Sequence, residues 1–219
     1  MTPGQSDRIV AKAESRWVAP LTVFMIAAVI VLLPARYAAL PSLWRWSLIA
    51  LSLLLLIFWS SPWKGEPEPA PHAVAAPIAI GILTALIIYS LTNLVARIVF
   101  HPKDVGGIQL LFAALTLWLA NAAVFGIWFW LIDRGGPEAR ARQPGRAELF
   151  FPQMQIDGAA GWEPWFFDYL YVGFTNATAF SPTDTLPLSR RMKAFMLVES
   201  LVSLITVAMV AARAVNILS

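Results

Sequence analysis

Residues 165–188 read WFFDYLYVGFTNATAFSPTDTLPL, and the reading of this stretch, Trp165 to Leu188, decides the fold. Its first half is apolar and aromatic but only about 14 residues long, short of the roughly 20 a helix needs to cross a bilayer. Polar residues follow at what should be membrane depth: Thr175, Asn176, Thr178, Ser181, Pro182, Thr183 and Asp184. Non-helical backbone at that depth is tolerated only where protein buries it or it lines a water-filled cavity. A short helix that enters the bilayer, turns at Ser181-Pro182-Thr183-Asp184 and leaves again meets those conditions. The stretch reads as a re-entrant loop.

The rest of the chain agrees with a membrane setting. Of 219 residues, 58% are hydrophobic and 13% charged, with mean hydropathy +0.67. Soluble domains average about 45–50% apolar and 25% charged. An all-α integral protein of the cell membrane is expected, with the lipid bilayer as its first partner. The absence of cysteine excludes disulfides and thiolate metal sites. A net charge of +3 would suggest nucleic acid in a soluble protein. Here most basic residues flank apolar spans, which orientation in the bilayer explains, and no nucleic-acid partner is expected.

Residues 1–16 form a polar tail. Trp17 to Ala35 and Leu43 to Ser61 are long and apolar enough for two spans, the second with Trp44, Trp46, Trp59 and Trp63 at its ends, as interfacial aromatics should be. Pro62 to Pro71 is a proline-rich surface linker. A third span runs from about Val74 to Phe100, with Ser90, Asn93 and Arg97 on one face. That stripe fits helix-to-helix hydrogen bonding with Arg97 snorkelling to the interface, or a polar vestibule. A fourth span, Ile108 to Ile132, carries Gln109, Thr116 and Asn121 as packing contacts. The units are therefore a tail (1–16), a four-helix membrane region (17–133), a loop (134–163) and a final module (164–219). Within the loop, Leu149 to Ile156 reads as a short strand or a surface-lying segment.

Ser189 to Leu218 is the last helix, five spans in all with one re-entrant helix. Glu199, Ser203, Thr206, Val210 and Arg213 recur on it at helical spacing, a stripe polar except for Val210. Intramembrane acidic residues are costly, so Glu199 is a functional candidate. It also fits a structural role, bonding the back of the re-entrant loop or Arg190 and Arg191.

Residues 160–217 resemble the pore loop and inner helix of the tetrameric cation-channel superfamily, above all potassium channels. In that family a short pore helix runs into a filter of the form TTVGYGD. The matching residues are Thr178, Ala179, Phe180, Ser181, Pro182, Thr183 and Asp184. The first Thr, the closing Asp and the length agree; Ser181, Pro182 and Thr183 replace Gly-Tyr-Gly. The layout is also similar to that of an uncharacterised bacterial family of small multi-span membrane proteins. The resemblance implies a homotetramer around the last helix, with Glu199, Ser203, Thr206, Val210 and Arg213 lining a pore for monovalent cations.

The loop's own chemistry narrows that expectation. A potassium filter replaces the ion's water shell with rings of carbonyls, and aiming them inward uses left-handed conformations that glycine reaches freely. Ser181 and β-branched Thr183 resist that geometry, and Pro182 has a fixed φ and no amide hydrogen. An acidic ring of Asp184 would give weak cation preference, or Phe180 and Phe174 would close the axis by dewetting. Asp184 also fits a simple turn cap, and Phe174 ordinary packing. A non-conducting subunit or scaffold that inherited the fold is the alternative. No enzyme chemistry is expected: His72 and His101 lie in a linker and a turn, no phosphate loop or nucleophile elbow appears, and neither cofactor nor metal is implied.

Orientation pulls two ways. Five spans put eleven basic residues on the side of the 133–163 loop and five on the other. The positive-inside rule then places the re-entrant loop in the cytoplasm, whereas potassium channels place it outside.

Overall fold

The computed structural model describes residues 71–101, 107–136, 140, 146–156, 162–179 and 184–218, with isolated positions before residue 51. Four helices make the frame: α1 (Pro71–Phe100), α2 (Gly107–Ile132), α3 (Phe166–Ala179) and α4 (Arg190–Leu218). Two-residue strands β1 (Leu149–Phe150) and β2 (Leu186–Pro187) pair antiparallel. The first two expected spans, 17–35 and 43–61, fall largely outside the described residues, as do the tail and most of the 62–71 linker.

Three of these helices are long and apolar enough to cross a membrane: Pro77–Phe100, Gly107–Gly135 and Arg190–Ala212. The third, fourth and last expected spans correspond to α1, α2 and α4. At about 1.5 Å of rise per residue the 26 residues of α2 reach about 39 Å. The 14 residues of α3 reach only about 21 Å.

Helix α2 is the most enclosed of the four. From Ala120 to Trp130 its buried residues run round the whole helix and include Asn121, Val124, Phe125, Gly126, Ile127 and Phe129. A helix apolar on every side belongs in the centre of a bundle, and α1, α3 and α4 all pack on it. Its N-terminal half still exposes Ile108, Leu111, Phe112 and Leu115.

Contact between α2 and α3 is close because both helices carry glycine where they cross. A Cβ placed on Gly173 would lie 2.5 Å from the Ala122 carbonyl oxygen and 3.0 Å from the Gly126 nitrogen. A Cβ on Gly126 would lie 3.0 Å from Leu170 Cα. In lipid, helices gain little from hydrophobic exclusion and associate through such close backbone approach. Phe174 rests edge-on against Trp118, with ring centroids 5.8 Å apart.

A buried polar knot closes the C-terminal end of α2. Asp133 is fully buried and accepts three hydrogen bonds. Its Oδ2 accepts from the Tyr169 hydroxyl at 2.8 Å, and its Oδ1 from the backbone N–H groups of Glu148 at 2.7 Å and Leu149 at 3.2 Å. Arg140 donates to the carbonyls of Trp130 and Asp133 and lies over the Trp130 and Tyr169 rings. Arg134 takes a left-handed φ of 53°, followed by Gly135 and Gly136 at 82° and 93°. A left-handed residue after a helix satisfies its last carbonyls and lets the chain turn back over the end.

Candidate functional site

Helix α3 begins at this knot. Trp165 caps it, with its N–H donating 2.6 Å to Asp168 Oδ2 one turn on. An acid at the third helical position that reaches back in this way supplies one half of a capping box and favours the positive end of the helix dipole. Phe166 stacks edge-on against Trp130, and Tyr169 bonds Asp133. The N-terminal end of α3 is thus level with the C-terminal end of α2.

Its other end stops half-way. The Ala177 carbonyl accepts from the Trp118 indole N–H at 3.4 Å and from the Ser203 hydroxyl, and Trp118 Nε1 also donates to Ser203 Oγ at 3.0 Å. Trp118 lies about 18 Å along α2 from Trp130, and Ser203 is near the middle of α4. The last carbonyls of a helix have no partner within it, and here two helices long and apolar enough to cross a membrane supply donors at mid-length.

The chain then returns to the level at which it entered. Thr185 is buried, β2 pairs with β1 beside Asp133, and the Leu188 N–H donates 2.8 Å to the Glu148 carbonyl. Ser189 Oγ bonds Glu148 Oε2 and caps α4 by accepting from the Met192 N–H. Arg191 pairs with Glu148 and donates to the Ile132 carbonyl. From Ala179 to Leu186 an extended chain reaches about 23 Å, enough to climb back those 18 Å. So α3 and α4 both start at the Asp133 end of the bundle.

Of the filter-equivalent residues, Thr178 is exposed and its hydroxyl donates 2.7 Å to the Phe174 carbonyl. Ala179 ends α3, and Asp184 is exposed. Phe180, Ser181, Pro182 and Thr183 lie outside the described residues. Glu199, Ser203 and Thr206 are all buried within this one chain, facing α2 and α3 or their own helix. Val210 packs partly buried on the core, and Arg213 continues the helix. On α1, Ser90 is buried, Asn93 half-buried and Arg97 exposed.

At the centre of the stripe, Asn176 Nδ2 donates to Glu199 Oε2 at 2.7 Å and to the Met196 carbonyl at 2.9 Å. From the other side Asn121 Nδ2 donates 3.2 Å to the Glu199 carbonyl. Glu199 is fully buried, as are Asn121 and Asn176 to within a few per cent. The junction therefore joins α2, α3 and α4 through two side-chain amides, Asn176 on the Glu199 carboxyl and Asn121 on the Glu199 backbone carbonyl. Sequence reading picks out Glu199 but treats Asn121 as simple packing and misses Trp118. Their spacing in the chain carries no signal, since their partners lie 78 and 85 residues away. No family model, curated protein or solved structure matches the chain.

Proposed function

We propose that α3 and the turn after it form a re-entrant loop, and that the chain is a channel-like membrane protein, weakly cation-preferring or gated shut. One observation carries this reading: Ala177 is bonded half-way along two helices that are each long enough to cross a bilayer. A helix ending at that depth leaves peptide groups that need protein or water around them. Four copies around an axis would supply both, with the helix C-termini directing negative dipole ends toward monovalent cations. Exposed Asp184 would form an acidic ring at the mouth. Without the filter glycines, a potassium-selective carbonyl ladder is not expected.

A second reading has its own support. Glu199, Ser203 and Thr206 of α4 are buried inside the chain, and the exposed face beyond its basic first turn is apolar, with Leu197, Leu201, Leu204 and Ile205. Such a lining would close a pore by dewetting, or serve a non-conducting subunit that packs against other membrane proteins. Reconstitution separates the two. The channel reading expects sodium or potassium flux into liposomes, with cation preference reduced by Asp184→Asn. Absence of flux at every voltage and pH tested, with the protein folded, favours the scaffold.

A further inference from the structure

The α2–α3–α4 junction contains two buried oxygens with no hydrogen-bond partner among the described residues, Glu199 Oε1 and Asn121 Oδ1. Both belong to side chains buried to within a per cent. Both are acceptors, and they sit on residues already joined through the Asn121 bond to the Glu199 carbonyl. The other buried carboxylate makes the contrast plain, since Asp133 has donors on both oxygens. An ionised carboxylate with a single amide donor, in the low-dielectric centre of a membrane helix, costs several kcal/mol.

Among the described residues no charged side chain is on hand to offset it. The groups facing Glu199 are Asn121 from α2 and Asn176 from α3. On α4 the neighbouring polar group is Ser203, whose hydroxyl is committed to Ala177. The basic residues at the start of α4, Arg190, Arg191 and Lys193, are exposed, as is Arg97 of α1. Among the described residues the ion pairs are Arg134–Asp133 and Arg191–Glu148, both at the far end of the bundle.

We propose that this junction is a buried cation site, in which Glu199 and Asn121 hold one monovalent cation, a proton or an alkali-metal ion, between α2 and α4. A proton on Oε1 turns that orphaned acceptor into a donor, and an alkali ion takes up the lone pair of each oxygen that reaches it. Two free oxygens suit a proton better than an alkali ion, which gathers more ligands. The proposal does not depend on whether the chain conducts.

Infrared difference spectroscopy of the full-length protein in lipid tests it, wild type minus Glu199→Gln, at neutral pH with sodium, with potassium and with neither. A bound proton predicts the carbonyl stretch of a neutral carboxylic acid in the wild type, lost in the variant and indifferent to salt. A bound alkali ion predicts carboxylate bands in one salt that become the neutral acid band when that ion is withdrawn. Carboxylate bands that persist unchanged in all three conditions overturn the proposal. Should Glu199→Gln not fold, wild type carrying 13C-labelled glutamate side chains gives the same answer. Among the described residues Glu199 is the fully buried glutamate, and exposed glutamates are ionised at neutral pH, so a shifted neutral-acid band then reports Glu199 and its absence in every salt refutes the site.

Discussion

Asn176 donates from Nδ2 to Glu199 Oε2 at 2.7 Å, and through this bond the short helix α3 is fixed to the middle of the long helix α4. The same amide also reaches the Met196 carbonyl. One side chain thus sets both the depth and the rotation of α3 against its neighbour. Taking it away strips the Glu199 carboxyl of its one side-chain donor among the described residues.

Asn176→Ala is expected to lower stability by about 1–3 kcal/mol, the cost of leaving a buried polar group without its partner. Glu199→Ala should cost a similar amount, and the double variant less than the sum, with a coupling of about 0.5–3 kcal/mol. Thermal unfolding of the four proteins in one detergent measures it. Additive losses would mean that the two side chains do not act as a pair.

The glycine contact between α2 and α3 makes a graded prediction. Gly173→Val forces a side chain into the Ala122 carbonyl, and overpacking of this kind costs about 1–3 kcal/mol or more. Gly126→Ala meets the Leu170 backbone at 3.0 Å and should be milder. Gly81→Ala has nothing nearer than 3.9 Å, on Trp128, and should leave the melting temperature close to wild type. Equal effects at all three positions would contradict the close approach.

The knot at Asp133 predicts a local response. Tyr169→Phe removes one of the three hydrogen bonds and should cost about 0.5–1.5 kcal/mol. Asp133→Ala strands the Glu148 and Leu149 amides and the tyrosine hydroxyl together, so it should cost more and free the β1–β2 ladder. Limited proteolysis or hydrogen exchange over residues 146–156 reads this directly. Protection unchanged in Asp133→Ala would show that the ladder does not depend on the carboxylate.

Much of this frame is legible in the sequence because hydrophobic length is a local property. The apolar runs ending at Phe100, Ile132 and Leu218 mark α1, α2 and α4 within a few residues, and the short aromatic run after Trp165 marks α3. The pairing of Leu149–Phe150 with Leu186–Pro187 is different. Two residues per strand give no periodicity, and the partners are separated by α3. Asp133 reads as the start of a loop, since nothing nearby in the chain announces Tyr169 or the Glu148 and Leu149 amides. The stripe of Glu199, Ser203 and Thr206 is visible from spacing, but spacing alone does not say whether it faces its own chain or an open axis. That depends on Asn121, Trp118 and Asn176, brought in by two other helices.

The re-entrant path proposed above takes the chain in with α3 and back out before α4. Nitroxide labels attached through Trp165→Cys, Thr178→Cys and Asp184→Cys test it in a chain that has no native cysteine, read for depth by oxygen relaxation and for sidedness with a reductant that cannot cross the bilayer. The account predicts Trp165 and Asp184 shallow and reduced from the same face, with Thr178 deep. Reduction of Trp165 and Asp184 from opposite faces, or a Thr178 label as shallow as the other two, would contradict it.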